Sequence, residues 1–373
     1  MSEESKPPGV IEESVTDVED SPEEIARYGQ PLSAALNYFR ETFADSFVNN
    51  DLSATRQQRR HRFVVSVFSI AGTLAVAFSI LHLMRLLSLR DNPQLTKYLA
   101  FGLFFGEAIA VLVALLAAFA GLFMAFQSNW LETRHKAELF RLLKFCSIID
   151  PAMLGGNQAD FEKWKNKLFD EGQNIRGINH DSLHEWVEEA RIPSQPPPPL
   201  SQTLEDKTIR DLLDYYERKR LTPQAKYFYD QSNRNLRWDW FTRLVPPLLF
   251  FGSVFFAMLH LIGEVIELAA LGRDEYLHQW TREVSPAGVI FIILAAMLPA
   301  IGAGLRGLRS TYEFSRNTLR FKANHFALEL LRERLNTETK PEAILRDLWW
   351  CEWMLEAEHR EWLRLMIEAE WLG

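Results

Sequence analysis

The chain has 373 residues, of which 47% are hydrophobic and 24% are charged, and its formal net charge is −8. This acidic balance argues against a general nucleic-acid binder, which would usually be basic. Two cysteines far apart, Cys146 and Cys351, indicate neither a disulfide framework nor a zinc cluster. The acidic N-terminus lacks the basic start and early apolar core of a signal peptide, so the first apolar helix is expected to direct insertion.

Residues 1–20 have no apolar periodicity and are predicted to form a disordered acidic tail. The run Ser21–Glu24 then combines an N-cap, a proline at the first helical position and a capping-box glutamate. The helix that follows is expected to carry one apolar face, which we interpret as packing on the protein itself and not on lipid. That face comprises Ile25, Tyr28, Leu32, Ala35, Leu36 and Phe39.

Four segments of membrane-spanning length carry almost no charge. They are Phe63–Met84, Ala108–Phe126, Leu244–Gly263 and Val284–Leu305. Segments of this length cross ~30 Å of hydrocarbon at a rise of 1.5 Å per residue. A buried soluble helix could imitate one such segment, but four segments paired by short loops favour a membrane protein. Pro246 and Pro247, near the cytoplasmic end of the third segment, are expected to kink its helix.

The first and third apolar segments belong to an internal repeat. Arg56–Leu83 aligns without a gap on Arg234–Leu261, with nine identities in 28 positions. In both copies a basic helix start leads into an apolar run that ends in Leu-His-Leu, followed by a short polar loop, a second apolar run and a polar helix. The sequence therefore predicts two copies of a two-helix membrane hairpin.

Lysine and arginine residues set the predicted topology. Sixteen of them flank the two hairpins, and five lie in the loops between paired segments. Because cytoplasmic flanks carry the excess of positive charge, both termini and the central region are predicted to be cytoplasmic. The expected location is the inner (plasma) membrane, which the chain would cross four times.

The predicted fold is an all-α integral membrane protein with long cytosolic helical extensions that form bundles. Pro193 and Pro196–Pro199 make a stiff spacer that is the clearest boundary in the chain. The last helix, after Pro341, has the 3-and-4 apolar spacing of a coiled-coil or bundle seam. The expected divisions are a tail at 1–20, a first unit at 21–191, a linker at 192–202 and a second unit at 203–373.

Several short motifs resemble one family of helical membrane domains. Asn129–Arg134, with Ala137–Leu139 behind it, is similar to the aromatic-x-x-x-Arg…Ala-Glu-x-Leu signature that follows the second membrane helix of SLATT domains. Gln224–Tyr229, Leu298–Gly304 and Glu358–Trp362 resemble other parts of that family. Two tandem copies would span roughly residues 30–370. The residues that match the motifs most directly are Trp130, Glu132, Arg134, Glu138 and Arg316.

This resemblance implies a function as well as a fold. SLATT domains have two transmembrane helices, associate with SMODS and SLOG proteins, and are regarded as membrane effectors in bacterial nucleotide-signalling conflict systems. The resemblance implies a pore-forming or membrane-perturbing effector of antiphage defence, controlled by a cytosolic signal. The implied partners are the lipid bilayer, further copies of the chain, and an upstream nucleotide-signalling protein or second messenger, with no nucleic acid.

Hydroxyl and small side chains recur at helical spacing within the apolar segments. Ser66, Ser69 and Thr73 share one face of the first segment, where they would line water in an assembled pore or hydrogen-bond to a neighbouring helix. The sequence leaves both interpretations open. Small residues spaced by four let membrane helices approach closely. Two such sets are Ala110, Ala114 and Ala118, and Ala296, Ala300 and Gly304.

Two other patterns that suggest chemistry have simpler explanations. Gly302–Gly307 matches the dinucleotide-binding string G-x-G-x-x-G, but it ends an apolar helix and follows no strand, so close helix packing is favoured. His180 and His184 are four residues apart, which invites a metal site. With Ser182 as the predicted N-cap, His180 would lie outside the helix, which favours a surface pair.

Three ionisable residues lie inside or beside the apolar segments. His82 and His260 occupy equivalent places near the outer ends of the first and third segments, and Glu107 lies near the start of the second. They could form a pH-sensitive gate or an ion path. We favour positions at the membrane interface for all three.

No enzymatic activity is predicted, because no Walker loop, G-x-S-x-G elbow, H-E-x-x-H motif or paired-carboxylate site stands out. No cofactor or metal is predicted either. The leading hypothesis is the membrane effector. The alternative is a non-conducting anchor or scaffold whose cytosolic helices recruit partners. A small-solute transporter ranks third, since transporters generally need polar or ionisable groups near the midplane.

Thiol labelling tests the predicted topology. In a chain with Cys146 and Cys351 replaced by Ala, single cysteines at Asn92 and Gly272 should react with a membrane-impermeant maleimide applied to intact cells. A cysteine at Gln195 should react only after permeabilisation, because the flanking positive charge holds that region in the cytoplasm. Labelling of Gln195 in intact cells would contradict this arrangement.

Overall fold

The computed structural model describes residues 20–88, 93–124, 126–155, 157–188, 205–270 and 286–368. Every regular element in these ranges is helical, as predicted, and four of the helices are long and apolar enough to cross a membrane. The contacts divide the chain into two compact units. Unit 1 draws on Met1–Arg59, Ala125–Ser232 and Leu319–Gly373, and unit 2 draws on Arg60–Met124 and Asn233–Thr318.

The helices differ widely in length, and three of them contribute residues to both units. In chain order they are α1 Pro22–Ile25, α2 Leu32–Ser88, α3 Pro93–Phe123, α4 Phe126–Ile148, α5 Pro151–Leu154, α6 Gln158–Gly177, α7 His180–Glu188, α8 Asp206–Tyr216, α9 Thr222–Ala270, α10 Pro286–Tyr312, α11 Phe314–Thr337 and α12 Pro341–Glu368. A π-helical turn, Glu217–Leu221, joins α8 to α9. Helices α2 and α9 run without interruption from residues of unit 1 into apolar segments of unit 2.

The two compact units do not follow the two halves of the sequence. Each unit collects segments from both halves, because α2, α9 and α11 each pass from one unit into the other. The expected linker at 192–202 and almost all of the expected tail lie outside the described residues. The tandem origin of the two halves stays a prediction.

Local sequence signals fix several helix starts in unit 1. The Glu24 N–H donates to Ser21 Oγ at 3.2 Å, with Pro22 as the first helical residue, as the sequence predicts. The expected single helix across this region is wrong, however, since α1 ends at Ile25 and α2 begins at Leu32. The physical reason is Pro31, which disfavours helical backbone at the residue before it.

The apolar face predicted for the N-terminal region packs on the protein itself. All of its members are buried, and the face continues along α2 through Phe43 and Phe47, which are fully buried. They join a core to which α4, α6, α8 and α12 also contribute. Asp20 is a correction to the expected tail, because it is buried in this core beside Lys144 and Tyr215.

Unit 2 contains the four apolar segments, each within a longer helix. Many large apolar side chains remain exposed there, such as Leu115 at 62% and Phe251 at 67%. Exposed apolar surface of this extent suits contact with lipid, and it is compatible with a multi-pass membrane protein. The second segment ends earlier than predicted, because α3 ends at Phe123 and Phe126 starts the next helix. Helix α9 continues through Pro246 and Pro247 in the third segment.

A glycine on α6 tests how tightly the core of unit 1 is packed. A Cβ added at Gly172 would overlap the ring of Phe43, whereas one added at Gly177 on the same helix meets no atom within 4 Å. Gly172→Ala should therefore destabilise the protein by about 1–3 kcal/mol, the usual cost of overpacking. Gly177→Ala should be neutral or slightly stabilising, since alanine favours helix. Thermal unfolding in detergent, followed by circular dichroism, would contradict this packing if both variants matched the wild type.

Candidate functional site

Helix α4 carries a row of ionisable side chains into the core of unit 1. The helix packs against α5, α6, α7 and α12, so most of its circumference is covered. Its row consists of Arg134, His135, Glu138, Arg141 and Lys144. Because burying a charge is costly unless it is paired, the partners of these side chains define the site.

A cluster around Glu138 holds the N-terminal half of the row. The carboxylate of Glu138 accepts from Arg134 at 2.5 Å and from Arg141 at 2.7 Å. Arg134 also reaches Asp51 of α2 at 3.2 Å. Burial raises the pKa of Glu138, but the charges of Arg134 and Arg141 outweigh burial and lower it to about 2. The cluster is therefore ionised at neutral pH.

The C-terminal end of the row meets the N-terminal segment. Lys144 Nζ lies 2.6 Å from Asp20 Oδ2, and both side chains are almost inaccessible to solvent. Tyr215 donates its hydroxyl to the same carboxylate oxygen at 2.9 Å. Burial lowers the pKa of Lys144 to about 8, and Asp20 opposes that shift. Lys144 is thus mainly protonated at neutral pH.

A second buried ion pair lies at the π-helical turn. Arg220 Nη2 and Glu352 Oε2 of α12 are 2.7 Å apart, and Arg220 Nε donates to Glu352 Oε1 at 3.0 Å. Tyr216 also donates its hydroxyl to this carboxylate. Burial lowers and Glu352 raises the pKa of Arg220, with a net increase. A bidentate pair of this kind fixes the turn against α12.

The two histidines of unit 1 that face each other in the core form a stacked pair. His135 Nδ1 and His359 Nε2 are 3.0 Å apart, and the rings are nearly parallel. Because one nitrogen must donate and the other accept, at least one ring is neutral. Trp186 stacks edge-on against His135, and Arg360 lies 4.2 Å above the Trp186 ring. Burial lowers the pKa of His135 to about 2, helped by the neighbouring charges.

Most side chains of these clusters are buried among other residues of unit 1. Every group in them contacts other side chains of unit 1, and the core around it is apolar and aromatic. Among the described residues, no three histidine, cysteine or carboxylate side chains could hold a metal ion together. The arrangement suits a structural or conformational role for the buried charges.

The hydroxyl face of the first apolar segment lies against another helix of unit 2. A Cβ built on Gly304 of α10 would sit 2.5 Å from Thr73 Oγ1, so the two residues are in close contact. Thr73 donates its hydroxyl to the Ser69 carbonyl at 2.8 Å, and Ser66 Oγ is 3.4 Å from Tyr312 Oη. Ser69 is half-buried. The structure therefore brings this face together with α10 within one chain.

The small residues predicted to form contact surfaces differ in how deeply they are buried. Ala114 and Ala118 of α3 are half-buried, and Ala300 of α10 is half-buried too. The buried alanines of α3 are Ala110, which belongs to the predicted set, and Ala117, which does not.

The residues that carry the family resemblance lie in different surroundings. Trp130 is buried edge-on against Trp362 at 5.6 Å, and Glu132 pairs with Lys136 at 2.7 Å along α4. Arg134 and Glu138 belong to the ionised cluster of α4 described above. Arg316 lies near Glu313, 3.9 Å away, in unit 2. The structure groups Trp130, Arg134 and Glu138 on one helix, and Arg316 is in the other unit.

The predicted start of the helix that contains His184 is wrong, and this changes the place of His180. Asn179 caps α7, accepting from the Ser182 N–H at 3.0 Å, so His180 is the first residue of the helix. Its ring contacts that of His184, with centroids 5.7 Å apart. The asparagine side chain competes with serine as an N-cap and prevails here. Of the other ionisable residues, Glu107 accepts from Ser79 at 2.5 Å, and the side chain of His82 lies outside the described residues.

Sequence reasoning missed the buried charges of unit 1. The sequence predicts no buried role for Arg141, Lys144, Arg220 or Glu352, and it points to His359 only as part of the Glu358–Trp362 motif. A usable signal is the density of aromatic residues around them, since exposed helices seldom carry so many.

Comparison with known proteins adds no relative: no family model, curated protein or solved structure matches this chain.

The pH dependence of stability tests the histidine pair. Unfolded histidine titrates near 6.5, and the pKa of folded His135 is about 2. Below pH 6.5 the unfolded chain therefore binds a proton that the folded chain does not, and stability falls by up to about 1.4 kcal/mol per pH unit. The loss of stability linked to Glu138 begins only below pH 4.5, so the decline between pH 6.5 and 5 comes from histidines, namely His135 and also His61, whose pKa is lowered by burial and by Arg62.

The matched variants are His135→Gln and His184→Gln. The first should flatten the decline of the melting temperature between pH 6.5 and 5, because it removes the titrating ring. The second changes an exposed ring and should keep the wild-type slope. Equal slopes in all three proteins, measured by scanning fluorimetry in detergent, would refute a neutral buried His135.

Proposed function

We propose that this protein is a multi-pass membrane effector that opens a path through the bilayer, or perturbs it, in response to a cytosolic signal. Its four apolar helices would form two hairpins, and both termini and unit 1 would be cytosolic. The inner membrane and the cytosolic helical bundle follow from the positive charge that flanks the apolar segments. No enzymatic activity or cofactor is part of the proposal.

The observation that carries the proposal is the contact of the hydroxyl face of α2 with α10. Thr73 meets Gly304 there, and Ser66 lies beside Tyr312, inside a unit that is otherwise mainly apolar. A contact between small and hydroxyl-bearing residues is held by close packing. If the two helices part, Ser66, Ser69 and Thr73 become available to line a narrow aqueous path.

The assembly and the signal are further parts of the proposal. A path lined by a single hydroxyl face needs several copies of the chain around it, so a homo-oligomer is implied. The similarity of the Trp130–Arg134 region to SLATT domains favours a nucleotide-signalling protein or second messenger as the trigger, in a setting of bacterial antiphage defence.

A non-conducting anchor or scaffold is the second candidate, and one observation favours it. Within one chain the hydroxyl of Thr73 is bonded to the Ser69 carbonyl and that of Ser66 lies beside Tyr312, so neither needs water. An anchor would keep that contact permanently closed, and exposed aromatic side chains such as Trp350 would serve recruitment.

Leakage from liposomes separates the two candidates. Gly304→Ala places a methyl group against Thr73 Oγ1 and should force α2 and α10 apart, so dye release and conductance should rise well above the wild type. Gly307→Ala is the matched control on the same helix, because its added Cβ meets no atom within 4 Å. Ser69→Asp should also conduct, since a charge keeps a narrow path wet.

The variants must be compared at equal membrane levels, because a charge at the midplane costs ~2.5–3.5 kcal/mol on insertion scales. Val65→Asp, on a different face of α2, should chiefly impair insertion. If Gly304→Ala and Ser69→Asp insert normally and conduct nothing under any condition, the effector proposal fails and the anchor is favoured.

A further inference from the structure

The segment Asp20–Pro31, which we call the strap, precedes α2 and lies on α8 and the π-helical turn. Its apolar side chains, Ile25 and Tyr28, are buried, and Tyr28 packs edge-on against Tyr215 at 5.4 Å. The remaining contacts of the strap are polar. It is short, and five of its residues between Ser21 and Arg27 are exposed. Ion pairs therefore contribute much of what holds it in place.

Asp20 is the most deeply buried polar group of the strap. Its carboxylate receives Lys144 of α4 at 2.6 Å, Tyr215 of α8 at 2.9 Å and Lys219 of the π-helical turn at 3.4 Å. One carboxylate thus joins the N-terminal segment to α4 and to the continuous stretch of α8 and the π-helical turn, which lie far apart in the sequence.

The rest of the strap continues the pattern along α8 and the turn. Glu24 pairs with Arg218 at 2.7 Å and with Lys219 at 2.8 Å. Tyr28 donates its hydroxyl to Asp214 at 3.0 Å, and the Gly29 N–H donates to Asp211 at 2.9 Å. Contacts therefore run from Asp211 to Lys219, over the last two turns of α8 and into the π-helical turn.

Removal of the strap would leave like charges facing each other. Lys144 and Lys219 approach the same carboxylate from different elements, and Glu24 of the strap also pairs with Lys219. Two ammonium groups in a poorly solvated place repel strongly once the shared acid is gone. Helix α8 and the turn would then have to move away from α4, so the strapped and released forms are distinct states.

We propose that the strap is a releasable latch, which holds α8 and the π-helical turn against α4 and so controls where α9 begins. The turn leads directly into α9, the helix that carries the third apolar segment. Single π-helical turns within helices frequently lie at functional sites, and such a turn can convert to α-helix with a shift of one residue. The latch deepens the membrane-effector proposal and rests on it for its effect on the bilayer.

Hydrogen exchange of the full-length protein in nanodiscs tests the latch directly. Neutralising the two acids, with Asp20→Asn and Glu24→Gln, should speed exchange of residues 206–221 on the order of tenfold or more, while α6 and α12 keep their protection. Glu23→Gln is the matched control. Glu23 is exposed beside Glu24 on the same short helix, and its loss should leave exchange unchanged.

A disulfide supplies the reverse experiment. Gly29→Cys and Asp211→Cys place two thiols where a glycine Cβ would lie 3.3 Å from the Asp211 carboxylate. In the neutralised variant, with Cys146 and Cys351 replaced by Ala, oxidation should restore the protection of residues 206–221. Reduction of the same sample should abolish it again.

The outcomes separate the latch from the membrane function. Faster exchange confined to residues 206–221, reversed by oxidation and accompanied by dye leakage from liposomes, supports both. The same exchange pattern without leakage supports the latch and overturns its link to the bilayer. Unchanged exchange in the neutralised variant, or an equal increase throughout unit 1, overturns the latch whatever the leakage.

Discussion

The buried charges of α4 impose the constraint on which unit 1 depends. A charge removed from water costs several kcal/mol unless a partner and further hydrogen bonds compensate it. Arg134 therefore needs Asp51 of α2, and Lys144 needs Asp20 of the N-terminal segment. Since α4 is covered on most sides, each of these ion pairs fixes one neighbouring element at a definite position along the axis of α4. Apolar contacts alone would tolerate more than one alignment.

The packing of unit 2 depends on different interactions from that of unit 1. If lipid surrounds its apolar helices, burying leucine against leucine gains little, and close approach at small residues carries the packing. Gly304 against Thr73 and Gly302 against Pro246 are contacts of that kind. A few polar contacts add specificity, such as the Ser253 hydroxyl donated to the Ala295 carbonyl at 2.6 Å. Small changes at these points can therefore alter helix packing without unfolding unit 1.

The sequence predicts the helices and the apolar segments well, because their signals are local and periodic. The buried face from Leu32 to Phe39 is an example, since one repeat of 3.6 residues describes its members within α2. The break at Pro31 was missed because the apolar pattern continues across it. The division into units was not predictable, because a helix such as α2 shows no boundary where it passes from one unit to the other.

The candidate site escaped prediction for a different reason. Glu352 and Arg220 lie 132 positions apart, and a single sequence says nothing about which distant charges meet. Charged residues in a helix ordinarily indicate a solvated face, and on α4 that rule fails. Its failure is informative, because sequences that break a local rule often do so at functional positions.

Buried ion pairs are a poor way to gain stability, because well-packed apolar residues of similar volume usually do as well or better. Helix α4, which carries Lys144 and Arg141 into the core of unit 1, instead favours one arrangement of its neighbouring elements over others. The reason is that the loss of one ionic partner replaces an attraction with a repulsion between like charges. Asp20 is the clearest case, because it comes from a short segment that precedes α2 and contacts both Lys144 and Lys219. An apolar residue at position 20 could not switch the packing of α8 and the π-helical turn against α4. The shared carboxylate makes that packing depend on whether the strap is in place.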